Sequence, residues 1–165
     1  MGAEKIDRAA INKARDYFIK NKKTLAVAES VTAGTIQAAF SLAKDASIFF
    51  QGGITVYNLG QKCRHLDIEP IHAASCNCVS EIVAKQMAEK ICHLFVADFG
   101  ISITGFASLV PEENINSLYA IISIATQGKS VVTKKVTAKK TLNPQQVQVW
   151  YTNQSVELLN EILHR

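Results

Sequence analysis

The chain is poor in the residues that staple, anchor or chelate. Its 165 residues include four cysteines. Cys63, Cys76, Cys78 and Cys92 form neither a dense disulfide framework nor the paired C-x-x-C spacing of a zinc site. Reduced, structural thiols are the default reading. Cys76 and Cys78 with His72 would offer a soft metal only a short cluster inside one loop, so neither a metal nor a cofactor is expected. No apolar run approaches the ~20 residues of a membrane span, which argues against a membrane partner. The start Met1-Gly2-Ala3-Glu4-Lys5-Ile6-Asp7 lacks the apolar stretch of a signal peptide and has Ile6 where a myristoylation motif wants Ser or Thr. The cytoplasm is the expected location. The net charge of +4 comes partly from the pairs Lys22-Lys23, Lys134-Lys135 and Lys139-Lys140. Without interleaved aromatics these read as solvated surface rather than as a nucleic-acid face. Neither repeats nor low-complexity linkers interrupt the chain, and a single domain over 1–165 is expected.

What is present is an alternation of apolar strands and amphipathic helices. Glu4 to Lys20 carries Ile6, Ala9, Ala10, Ala14, Tyr17 and Phe18 at helical spacing, with Asn21 as a stop. Thr24 to Ala28 is short, apolar and β-compatible, and Thr32 to Ala43 reads as helix. Ile48 to Tyr57 is a strand pattern in which Gly52-Gly53 marks a bulge or close backbone approach. A short helix is expected over Asn58 to Leu66, and a longer one from Val79-Ser80 with Ser80 as its cap. Phe99 to Thr104 is a strand, and Ser117 to Thr126 and Val131 to Ala138 form a hairpin across Gln127-Gly128-Lys129. Asn143-Pro144 opens the last helix. Strands mixed with long helices make an α/β layered domain around a central sheet.

The sequence Ala28-Glu29-Ser30-Val31-Thr32-Ala33-Gly34 places a serine where a strand turns into a helix. Ser30 would stand at or beside an N-cap, where free N–H groups and the helix dipole favour an oxyanion or a phosphate. An ordinary capping serine is the other reading. No Ser-His-Asp set is visible, because His65, His72, His93 and His164 lie in ordinary contexts. Lysine is the remaining base. Lys62 would serve only if burial or neighbouring charge lowers its pKa; otherwise it is a solvated helix lysine. Tyr57 is read either as a polar partner of that pair or as an interface or core aromatic.

Four blocks stand together: the Ser30 block, Phe50-Gln51-Gly52-Gly53-Ile54-Thr55-Val56-Tyr57 with Lys62, Val79-Ser80-Glu81, and Thr104-Gly105. In this order and spacing they resemble the CinA C-terminal domain family, from about Leu25 to Ser123. Characterised members of that family are nicotinamide-nucleotide amidases that hydrolyse the carboxamide of nicotinamide mononucleotide with a serine nucleophile. The resemblance implies a three-layer α/β/α sandwich with a central mixed sheet. It implies Ser30 as nucleophile, Lys62 as base and Tyr57 as proton relay or substrate orienter. Substrate would be contacted by Glu29, Thr32, Gly34, Thr104 and Gly105, and the oxyanion would meet N–H groups of the Val31–Gly34 turn or of Thr104-Gly105. It further implies a pyridine-nucleotide substrate and a homo-oligomer, a dimer, of a stand-alone domain.

The chain also departs from the family pattern. Val31 and Ala33 replace Cys and Gly of the usual Glu-Ser-Cys-Thr-Gly-Gly block, and Ala33 would be strained at positive φ. Ala107-Ser108-Leu109-Val110-Pro111 replaces a glycine-rich loop, and Pro144 and Gln148 stand where two arginines are common. Two readings follow. One is an amidase-like hydrolase acting on nicotinamide mononucleotide or a related small amide; the other is a divergent, catalytically weak or inactive module that binds a nucleotide or a protein.

Overall fold

The computed structural model describes residues 5–165. In chain order the elements are α1 (Arg8–Asn21), β1 (Leu25–Glu29), α2 (Thr35–Ser41), α3 (Ala46–Phe49), β2 (Phe50–Thr55), α4 (Leu59–Leu66), α5 (Pro70–Ser75), α6 (Glu81–Phe95), β3 (Phe99–Gly105), β4 (Tyr119–Thr126), β5 (Lys129–Thr137) and α7 (Pro144–Leu163). Asp7 caps α1 through the Ala10 N–H, so the helix starts later than the apolar spacing suggests; the expected start at Glu4 lies outside the described residues. The five strands form one mixed sheet in the order β2-β1-β3-β4-β5. β1 runs parallel to β2 and β3, and the β3-β4 and β4-β5 pairs are antiparallel.

Alternation along the strands builds the layers. Leu25 and Val27 of β1, Phe99, Ile101 and Ile103 of β3, and Ala120, Ile122 and Ile124 of β4 pack into one apolar layer with α1, α2, α3 and α7. Ala26 and Ala28 turn to the other face, against Leu66 of α4, Ala73 of α5 and Val83, Met87 and Ile91 of α6. Small residues on that second face let α6 lie close to β3. Ser102 donates to the Ala84 carbonyl, and a Cβ at Gly100 would overlap the Ala88 carbonyl. The expected α/β/α sandwich is the observed architecture.

The Gly52-Gly53 pair does mark an irregularity. Leu25 pairs with Phe50 and Ala26 with Gly52, leaving Gln51 as the extra residue of a bulge, with Gly52 at φ 118°. No described helix is long and apolar enough to cross a membrane.

Candidate functional site

The sheet topology creates the site. From β1 the chain crosses to β2 through α2 and α3 on one face, then to β3 on β1's other side through α4, α5 and α6 on the opposite face. The crossovers diverge at the carboxyl ends of β1 and β3, and such switch points open a crevice there. A cleft of about 440 Å³ occupies it, with Ser30, Lys62, Thr104 and Gly105 among its walls. A larger groove of about 680 Å³ between α1 and α7 has no serine, threonine, cysteine or tyrosine among the described residues of its lining.

Ser30 is not the cap of α2. β1 ends at Glu29, and residues 30–34 form a tight turn in which the Ala33 N–H donates to the Ser30 carbonyl at 3.0 Å. Ala33 sits at φ 50° and Gly34, the N-cap residue, at φ 101°. Left-handed backbone costs an alanine roughly 1–2 kcal/mol, so the turn is held by something stronger. That is the buried Glu29 carboxylate, which accepts from the N–H groups of Gly34 (3.1 Å), Ile36 (3.1 Å) and Gln37 (2.8 Å). Glu29 thus takes over the capping of α2 and leaves the Ser30 hydroxyl free. From α7 the Gln148 amide donates to the Val31 carbonyl at 3.0 Å, clamping the same turn.

Lys62 comes from α4, whose start is fixed by Asn58 accepting from the Gln61 N–H. The lysine is 1% exposed. Its Nζ donates to Ser30 Oγ at 2.9 Å and to the Val56 carbonyl at 2.9 Å. Burial pushes its pKa down, against a smaller upward pull from the thiols of Cys78 and Cys63. Burial also pushes the Cys78 thiol up, which keeps it neutral beside the lysine at neutral pH. A serine hydroxyl in hydrogen-bond contact with a buried amine that prefers to be uncharged can lose its proton to that amine.

The other expected residues are placed differently. Tyr57 stands at the mouth of the cleft, 66% exposed, and no hydrogen bond joins it to Ser30 or Lys62. Glu29, Thr32 and Gly34 lie behind the cleft wall rather than on it; Glu29 holds the turn, and the Thr32 hydroxyl is buried with no partner among the described residues. Thr104 donates to the Cys78 carbonyl at 2.8 Å and so ties β3 to the loop before α6. Gly105 lines the cleft where a Cβ would meet Ala120. For an oxyanion the turn offers the N–H group of Val31, which lines the cleft and makes no hydrogen bond among the described residues, while the Ser30 N–H is bound to the Ile103 carbonyl. His72 is turned to Ser80 Oγ at 2.8 Å, with Cys76 Sγ 3.8 Å away; no group of three or more His, Cys, Asp or Glu among the described residues could hold a metal.

Sequence reasoning singled out Gln148 only as a departure from the family's arginines and missed its bond to the Val31 carbonyl, 117 residues away, as well as the role of the Val56 carbonyl. A backbone carbonyl carries no side-chain signal in the sequence, and the Gln148 bond closes only through long-range packing.

A model of the CinA C-terminal domain matches residues 7–163. The chain belongs to the CinA C-terminal domain family. It is 45% identical over 85 residues to a competence-damage inducible protein of Streptococcus pneumoniae, an alignment that covers 52% of this chain and 20% of that relative. The chain therefore spans only a small part of the curated relatives it matches. Among CinA-type solved structures it resembles the competence damage-inducible protein A of Klebsiella pneumoniae, with TM-score 0.89 and 21% identity over 97% of this chain and 99% of that one. It also resembles a CinA superfamily protein of Enterobacter cloacae, with TM-score 0.88 and 25% identity over 97% and 94%.

Proposed function

We propose that this CinA-family chain is an amide hydrolase that cleaves the carboxamide of nicotinamide mononucleotide or a related small pyridine amide, with Ser30 as nucleophile and Lys62 as base. The observation that carries this reading is the 2.9 Å contact between Ser30 Oγ and the Nζ of a lysine that is 1% exposed. Ser30 passes its proton to neutral Nζ while Oγ bonds the carboxamide carbon. The resulting oxyanion meets the N–H group of Val31, unpaired among the described residues, and such a donor is worth about 3 kcal/mol of barrier. The Lys62 ammonium then protonates the leaving nitrogen, the C–N bond breaks and ammonia departs. Water attacks the acyl-Ser30 ester with Lys62 again taking the proton, and collapse of the second intermediate frees the acid and returns the proton to Oγ.

Tyr57 at the mouth of the cleft is suited to orienting the substrate ring rather than relaying protons. The direct test is ammonia release from pyridine carboxamides by the wild type and by Ser30→Ala. A loss of about a thousandfold or more in the variant is expected, as for removal of a catalytic nucleophile. An unchanged rate would remove Ser30 from the chemistry. Tight binding of a pyridine nucleotide by the wild type without ammonia release would favour the binding-module reading instead.

A further inference from the structure

The charge on the walls of the cleft bears on what it accepts. Among its described lining residues the only lysine, arginine or histidine is Lys62, and its amine is buried and already shared between Ser30 Oγ and the Val56 carbonyl. The start of α2 is filled by the chain's own Glu29 carboxylate, so the helix terminus nearest the nucleophile has its capping donors already occupied. At the mouth, an exposed 3-10 turn over Pro111–Glu113, framed by the Val110–Ile115 bridge, sets Glu113 on the lining. The neighbouring Glu112 adds a second negative charge to the same turn.

A phosphate monoester carries about −1.5 to −2 charge at neutral pH. In this cleft it would lose water without gaining a cationic partner and would approach a carboxylate. A pyridinium ring without phosphate meets the opposite situation. It is drawn to Glu113, and its carboxamide is neutral where it reaches Ser30.

We infer that this cleft selects a phosphate-free amide, cationic or neutral, and that Glu113 is a specificity-determining residue at its mouth. The inference rests on the amidase reading above and narrows its substrate class. Nicotinamide riboside and nicotinamide mononucleotide are the decisive pair, since they share the pyridinium carboxamide and differ by the phosphate. Free nicotinamide, which is neutral, separates attraction of the cation from rejection of the phosphate.

Ammonia release is measured for all three, at low and high salt, with the wild type, Glu113→Gln and Glu113→Lys. For the wild type at low salt, kcat/KM for the riboside is expected to exceed that for the mononucleotide by about tenfold, mainly through KM, and the gap should shrink with added salt. Glu113→Gln narrows the ratio and Glu113→Lys narrows it further or inverts it. Glu113 is exposed, so neither change disturbs the core. Ser30-dependent hydrolysis in which the mononucleotide is preferred, or a ratio indifferent to charge at position 113, overturns the inference and leaves the amidase reading standing. If none of the three releases ammonia, the amidase reading falls and takes the inference with it.

Discussion

At the scale of single residues, the site depends on two polar groups that the sequence presents as ordinary. Ser30 looks like a helix cap because it sits between a strand and a helix, and only the folded chain shows that Glu29 has taken that role. Lys62 looks solvated because α4 is a mostly polar helix; its buried face is Lys62 with Leu66, one turn apart, and a spacing rule scores the lysine as a break in that face. Pairing Ser30 with Lys62 was legible through the family resemblance of their blocks and not through local pattern. Thr32 carries a separate consequence. Its hydroxyl is fully buried without a partner among the described residues, and an unpaired buried hydroxyl costs about 1–3 kcal/mol. Thr32→Val keeps the shape and removes that cost, so urea unfolding should show a gain of about 1 kcal/mol. A loss of that size would mean the hydroxyl is satisfied in solution.

At the scale of elements, most strands and long helices were readable from periodicity, and the errors fall where side chains override it. The helix expected over residues 32–43 is observed as Thr35–Ser41 because the turn held by Glu29 takes up its first residues. α3 and α5, of four and six residues, are too short for a 3.6-residue period to register, and α3 displaces the start of the strand expected at Ile48. The caps Ser80 and Asn143 were legible because each side chain accepts an N–H three residues on, a strictly local bond. The strain at Ala33 was legible too, since only glycine adopts that backbone freely. Glu29→Gln tests the hinge between β1 and α2. It replaces a charged acceptor of three N–H bonds by a neutral amide, and a stability loss of about 2 kcal/mol is expected in denaturant melts. Ammonia release should fall with it, because Ser30 is the first residue of that turn. A melt unchanged from wild type would mean that the charge of the carboxylate adds nothing to the bonds that hold the turn.

At the scale of the whole molecule, the sequence pattern announces a layered α/β domain, but the place of the cleft follows from strand order. Parallel β1 between β2 and β3, with crossovers on opposite faces, brings Ser30, Lys62 and the end of β3 together from distant parts of the chain. That order depends on tertiary pairing, which periodicity does not encode. The central claim is that a buried, readily neutral lysine activates Ser30, and the measurement that tests it most directly is the pH dependence of ammonia release by the wild type and Lys62→Met. Burial lowers the lysine's pKa, so the neutral amine that acts as base forms at lower pH than usual. Wild-type kcat/KM should therefore rise with pH along a limb lying below the ordinary lysine value of about 10.4 and level off above it. Lys62→Met, similar in size, should lose about a thousandfold or more at every pH while still binding the amide by calorimetry. A variant that keeps both the rate and the limb would contradict the account.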